Sequence, residues 1–276
     1  MLEALQILFP AFLICVLMAV THTYLGLHVL ARGIIFVDLA LAQVAALGIS
    51  VAFLMGQEAH GDEAQLYAFV ATLSIAFAFA KLRNIPSKVA REVTIGIVYV
   101  VATALSIVIL SQSSQGMEEL KSIFNGSILW TSWREIGIIA VEYLFLIGLH
   151  AYFRQRFYQL SFSESKSETD SISTKPSPGF FWEFLFFATF ALTITLAVNV
   201  AGVLLVFAFL IIPAFSASLL VDGFVKQLLF GIGLSILGSM AGLFVAYQFD
   251  LPVGATIVSV LGLLPLLSAI FARYVR

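Results

Sequence analysis

The chain has 276 residues, of which 61% are hydrophobic and only 11% are charged. A soluble domain carries roughly 25% charged residues, so this composition excludes an ordinary soluble protein and indicates one that is solvated mainly by lipid. The formal net charge of −2 argues against nucleic-acid binding. The single cysteine, Cys15, can form neither an internal disulfide nor a metal site alone.

Hydropathy predicts about nine membrane-spanning helices, each near the ~20 residues that a bilayer requires. They are placed near residues 5–25, 34–56, 65–82, 94–112, 135–153, 181–198, 201–220, 228–248 and 253–272. The sixth and seventh are separated least clearly, because no charged residue or histidine occurs between Glu183 and Asp222. We expect a tight turn at residues 199–202 between them. The predicted fold is an all-α polytopic membrane protein whose single transmembrane domain covers residues 1–276.

The distribution of basic residues predicts the orientation of the chain in the membrane. With the N-terminus outside, the cytoplasmic segments hold 12 of the 14 basic residues. These are Arg32, Lys81, Arg83, Lys88, Arg91, Arg154, Arg156, Lys166, Lys175, Lys226, Arg273 and Arg276. An even number of spans would destroy this separation, so we predict an external N-terminus and a cytoplasmic C-terminus.

Two connecting segments have a recognisable character. Residues 157–180 contain the Ser-rich run SFSESKSETDSISTKPSPG, which predicts a flexible cytoplasmic loop. The longest external segment, 111–134, includes MEELKSIF, which could form a short amphipathic helix.

Motifs of catalysis and nucleotide binding are not found in the sequence. It has no GxxxxGK[ST] loop, no HExxH, no GxSxG and no CxxC. We therefore interpret the chain as a transporter, a channel or a membrane scaffold and not as an enzyme. In such proteins, polar residues inside the spans are the first candidates for function.

Asp38 is the most informative of these polar residues. It follows Arg32 by six residues, which places it about 9 Å into the second span at a rise of ~1.5 Å per residue. A carboxylate facing lipid costs at least ~2.5–3.5 kcal/mol, so a role in a transport path is favoured over helix capping or an interhelical hydrogen bond. There are five other candidates. Gln43 lies in the same span, His22 and His28 lie at or just past the cytoplasmic end of the first span, and Glu142 and His150 lie in the fifth span.

Four blocks of sequence resemble the metal-ion ABC transporter permeases, a family that takes up zinc, manganese or iron. They are LGLHVLARGIIFVDLALAQVAALGISVAFLMG (25–56), MEELKSIFNGSILWTSWREI (117–136), NVAGVLLVFAFLIIPAFSASLL (199–220) and FDLPVGATIVSVLGLL (249–264). The blocks follow one another in the family's order across nearly the whole chain.

The resemblance implies a working assembly in a bacterial inner membrane. Two copies of the permease, surrounded by lipid, would form the path, two cytoplasmic ATPase subunits would hydrolyse ATP, and an external solute-binding protein would deliver the ion. The metal would be cargo bound transiently, not a permanent cofactor. By resemblance, the segment that couples to the ATPase follows the IIPA string and includes Pro213, Ala214, Ser216, Ser218, Asp222 and Gly223.

One position departs from the family pattern. Family members typically carry Gly-Asp-x-x-x-His, whereas here Val37 precedes Asp38, residue 42 is alanine and Gln43 follows one position later. On an ideal helix Asp38 and Gln43 are about 140° apart, and a π-bulge at an inserted residue would bring them onto one face. The predicted metal ligands are therefore Asp38 and Gln43, with His22 and His28 as possible additions.

Three hypotheses follow. The first is the permease subunit of an ATP-driven importer for a divalent transition metal, zinc or manganese. The second keeps the ABC permease but replaces the free ion with a metal chelate or another small solute. The third is an ATP-independent membrane carrier or scaffold.

Overall fold

The structure, a computed structural model, describes residues 2–58, 61–82, 85, 87–113, 115–162 and 179–275. These residues form helices without any strand. The helices are α1 (Leu2–Arg32), α2 (Val37–Leu54), α3 (Asp62–Lys81), α4 (Lys88–Leu110), α5 (Gly116–Asn125), α6 (Trp133–Tyr152), α7 (Arg154–Phe162), α8 (Phe180–Ala201), α9 (Val203–Leu220), α10 (Phe224–Phe249), α11 (Val253–Leu261) and α12 (Leu263–Val275). Within the described residues, nine helical stretches are long and apolar enough to cross a membrane, which confirms the predicted number.

The first helix is longer than the sequence predicted. We placed the end of the first span near residue 25, with His22 and His28 at or beyond that end, but α1 continues to Arg32 and contains both histidines. That placement was wrong. Gly26 does not interrupt α1 because it is a packing position: an added Cβ there would overlap the backbone carbonyl of Leu210. The helix ends only at Gly33, whose positive φ of 65° is the left-handed conformation that commonly terminates helices.

The last span is broken into α11 and α12 at Gly262. Pro265 explains the break, because a proline lacks an N–H for the carbonyl four residues earlier and its ring collides with that carbonyl. The carbonyl in question belongs to Leu261, the last residue of α11.

The turn between α8 and α9 is tighter than the predicted segment 199–202. Only Gly202 separates the two helices, with φ 78° and ψ 160°. The backbone of Gly126 lies so close that a Cβ on Gly202 would overlap it. Beside this crossing, the backbone N–H of Ser127 donates a 3.0 Å hydrogen bond to the carbonyl of Val200. A glycine is therefore required here for both its conformation and its size.

The chain divides into two compact units. Unit 1 comprises Met1–Leu27, Lys121–Tyr143 and Ala197–Arg276, and within it α9 packs against α10, α11 and α12. Unit 2 comprises His28–Leu120 and Leu144–Leu196, and within it α2 packs against α3 and α4.

Two predicted connecting segments can be compared with the structure. The MEELKSIF stretch lies in α5, as expected from its amphipathic pattern. The predicted Ser-rich loop 157–180 begins as helix, because α7 extends to Phe162 and buries Phe157 completely. Residues 163–178 of that loop lie outside the described part of the chain.

Within unit 2, an ion pair joins two helices that are far apart in the sequence. The Arg32 guanidinium, in the last turn of α1, contacts the carboxylate of Glu183 in the first turn of α8. Their side chains are only 10% and 11% exposed, and the guanidinium lies 4.6 Å from the centre of the Phe186 ring. Each charge also interacts favourably with the dipole of its own helix, because Arg32 is at a C-terminal end and Glu183 at an N-terminal end.

Replacing Arg32 by methionine is expected to destabilise the protein by about 3 kcal/mol, because Glu183 would remain buried without its partner. The double variant Arg32→Met/Glu183→Leu should recover most of this loss, since neither buried charge remains. Thermal unfolding of the purified protein in detergent measures both effects. A double variant that loses as much stability as the two single variants together would contradict the prediction.

Candidate functional site

Helix α2 carries the two central candidates in the buried interior of unit 2. It approaches α3 closely at Gly48, where an added Cβ would lie 2.6 Å from the Cα of Ala68. Asp38 is 0% exposed and Gln43 is 1% exposed. Among the described residues, neither side chain finds a hydrogen-bond partner for any of its polar atoms. Two buried polar groups without partners in a membrane-spanning helix indicate a functional position.

The expected π-bulge between Asp38 and Gln43 is not present. Helix α2 is a regular α-helix from Val37 to Leu54, so the two side chains project about 140° apart. The bulge was expected because Gln43 lies one residue later than the family spacing, and a bulge at an inserted residue would bring it onto the same face as Asp38. Instead 72% of the span is buried, so both residues are enclosed on different faces without any distortion.

His22 is completely buried in unit 1, inside α1. Neither of its ring nitrogens has a hydrogen-bond partner among the described residues, and its ring meets Tyr143 edge-on at 5.8 Å between centroids. The hydroxyl groups of its neighbours Thr21 and Thr23 also lack partners within the described chain.

His28 and His150 are held by polar contacts in unit 2. The Nδ1 of His28 lies 2.7 Å from the hydroxyl oxygen of Ser161 on α7. The Nε2 of His150 lies 3.0 Å from the hydroxyl of Thr189, and its ring stacks on Phe157 with centroids 3.9 Å apart. Both histidines therefore help to attach α7 to its neighbours.

The described residues contain no group of three or more histidine, cysteine, aspartate or glutamate side chains that could hold a metal ion. The ligand set Asp38, Gln43, His22 and His28 accordingly stays a prediction.

The start of α2 is held by Glu92 of α4, a residue that the sequence analysis did not single out. Phe36 occupies the N-cap position and its side chain cannot accept a hydrogen bond. Its backbone N–H instead donates to Oε1 of Glu92 on α4, at 2.9 Å. The signal was available: Glu92 is a carboxylate close to the beginning of a span, but the span was predicted to begin at residue 94.

The predicted coupling residues fall into a buried and an exposed group. Pro213, Ala214 and Ser216 are buried in the interior of α9. The helix ends at Leu220, and Asp222 and Gly223 are exposed in the connection to α10. The remaining coupling candidate, Ser218, is in the last turn of α9, where its hydroxyl donates to a backbone carbonyl.

Comparison with known proteins assigns this arrangement of helices to a family. The sequence matches the ABC 3 transport family over residues 4–272. The chain belongs to that family. It is therefore a multi-pass membrane protein of the family's permease type, as the resemblance indicated.

Relatives of this chain are named for different metals. The chain is 25% identical over 262 residues to the manganese transport system membrane protein MntC of Listeria monocytogenes, covering 95% of this chain and 89% of that protein. It is 27% identical over 260 residues to a Haemophilus influenzae protein named "Probable iron transport system membrane protein", covering 94% and 92%.

The fold is also found in a solved structure of an assembly. The complex PsaBC from Streptococcus pneumoniae with Fab contains a chain that superposes with a TM-score of 0.74 at 21% identity. The match covers 100% of this chain and 98% of the other, so the two chains share a fold over nearly their whole lengths.

Proposed function

We propose that this chain is the permease subunit of an ATP-driven importer that moves a divalent transition-metal ion across a bacterial inner membrane. The observation that carries the proposal is the Asp38 carboxylate, buried in a membrane-spanning helix of an ABC 3 family member with no partner for either oxygen among the described residues. A buried carboxylate is costly unless a cation or a proton compensates it. A passing metal ion supplies that compensation.

The chemistry of α2 favours manganese over zinc as the ion. Asp38 and Gln43 offer oxygen ligands, which suit Mn²⁺, whereas zinc sites usually include imidazole or thiolate. The relationship to a manganese transport protein supports the same choice. Of the two proposed histidine ligands, His22 has both ring nitrogens without a hydrogen-bond partner among the described residues, whereas Nδ1 of His28 contacts Ser161.

The proposed assembly contains two copies of this chain, two cytoplasmic ATPase subunits and an external solute-binding protein. The N-terminus would face outside and the C-terminus the cytoplasm. In that orientation the exposed residues Asp222 and Gly223, between α9 and α10, are the part of the coupling segment available to an ATPase.

Metal competition in the reconstituted transporter tests the function. Proteoliposomes that contain the permease with its ATPase are supplied with the binding protein, ATP and radioactive Mn²⁺. We expect ATP-dependent uptake that excess unlabelled Mn²⁺ abolishes and that Zn²⁺ inhibits less effectively. Uptake that is unchanged without ATP would contradict the proposal and support an ATP-independent carrier.

A metal chelate is the second candidate cargo. The family motif leads us to expect a histidine four residues after Asp38, but residue 42 is alanine and Gln43 follows one position later. An amide is a poor ligand for a bare zinc ion. Supplying the same metal as the free ion and as a soluble chelate separates the two candidates. Preferential uptake of the chelate would overturn the free-ion proposal.

A further inference from the structure

We propose that Glu92 on α4 is the second carboxylate of the ion site at Asp38, with one oxygen holding the start of α2 and the other binding the passing cation. This inference rests on the proposed function, since it adds a ligand to the same site.

The first step is the contact that brings Glu92 to α2. Oε1 of Glu92 accepts a hydrogen bond from the backbone N–H of Phe36, the N-cap residue of α2. The residues at the start of a helix have N–H groups without partners inside the helix, and Phe36 offers no side-chain acceptor. A carboxylate from another helix therefore supplies the missing acceptor, and the helix dipole favours its negative charge.

The second step is the position of Asp38 relative to this end of the helix. Asp38 lies two residues after Phe36, in the first turn of α2. The Cα–Cβ bonds of an α-helix tilt toward its N-terminus, so the Asp38 side chain leans toward the end that Glu92 holds. Both residues belong to unit 2, within which α2 and α4 pack against each other.

The third step is that oxygens of both carboxylates remain without hydrogen-bond partners in the described part of the chain. Oε2 of Glu92 is inaccessible to solvent and accepts no hydrogen bond from the described residues, and the same is true of both oxygens of Asp38. Arg32, the nearest basic residue before Asp38 in the sequence, is engaged by Glu183. Two carboxylates near the start of α2 provide the hard oxygen ligands that Mn²⁺ prefers.

A glutamine substitution separates the two roles of Glu92. In Glu92→Gln the amide oxygen can still accept from the Phe36 N–H, but the negative charge is lost. In Glu92→Ala both the acceptor and the charge are lost. The matched control is Glu63→Gln, which neutralises an exposed glutamate in the first turn of α3.

The experiment measures binding of Mn²⁺ alone to the purified permease–ATPase complex by electron paramagnetic resonance, together with thermal unfolding. We expect Glu92→Gln to weaken Mn²⁺ binding about tenfold with an unchanged unfolding temperature, comparable to the loss of other groups around metal sites. Glu92→Ala should lower both the affinity for Mn²⁺ and the unfolding temperature. Glu63→Gln should change neither.

Wild-type Mn²⁺ binding by Glu92→Gln would overturn the ligand role. Asp38→Asn in the same assay distinguishes this outcome from failure of the proposed function. If Asp38→Asn loses binding while Glu92→Gln keeps it, only the role of Glu92 is overturned. If both bind Mn²⁺ normally, the ion site at Asp38 is itself overturned.

Discussion

Replacing Asp38 by asparagine is expected to reduce ATP-dependent metal uptake by about 10- to 100-fold, the range seen when groups that support metal sites are lost. Asparagine keeps the size of the side chain and removes its charge, so packing in unit 2 is preserved. The buried carboxylate has no partner among the described residues, so its removal breaks no hydrogen bond with them. The protein should therefore be expressed normally and be at least as stable as the wild type.

Radioactive Mn²⁺ uptake by cells that express the complete transporter measures this effect at matched protein levels. Asp250→Asn is the control, because Asp250 is exposed and has a positive φ of 52°, a conformation that asparagine also accepts. The control should transport normally. Undiminished uptake by Asp38→Asn would remove Asp38 from the path.

Replacing Gly202 by alanine is expected to destabilise the protein by more than about 3 kcal/mol, through backbone strain and overlap together. Its φ of 78° and ψ of 160° lie in a region that only glycine adopts readily. In addition, the new Cβ would overlap the backbone of Gly126, which cannot move away as a flexible side chain could.

Thermal unfolding in detergent, together with the yield of folded protein, measures this loss. Gly137→Ala is the matched control, because a Cβ on Gly137, in the second turn of α6, meets nothing within 4 Å. Alanine there should leave stability unchanged or raise it by up to about 1 kcal/mol. A Gly202→Ala variant as stable as this control would contradict the close approach of the Gly202 and Gly126 backbones.

The spans could be predicted because lipid imposes a simple rule on the chain: about 20 apolar residues for each crossing. The ends of the spans could not, because packing decides them. The sequence THTYLGLHVLAR reads as the end of a span from its polar residues, yet α1 continues through it because Gly26 packs against the backbone of Leu210. Likewise, α4 begins at Lys88 and not at residue 94.

The candidate site was predictable only where a single residue carries the signal. Asp38 could be identified because a carboxylate in a span is costly wherever it faces. The contacts of Glu92 and Arg32 depend on residues far away in sequence, at Phe36 and Glu183, and no local pattern reports them. The π-bulge was expected from a family spacing, whereas burial on several faces of α2 makes it unnecessary.

The pairing of Arg32 with Glu183 also sets an order of events during biosynthesis. The two residues are separated by 151 positions in the chain. At about 5–20 residues per second, a ribosome adds Glu183 roughly 8–30 s after Arg32. During that interval the end of α1 has been made but its carboxylate partner has not. Unit 2 therefore cannot reach its final packing until α8 enters the membrane, and any nascent chain that stops earlier leaves the guanidinium without the partner that α8 provides.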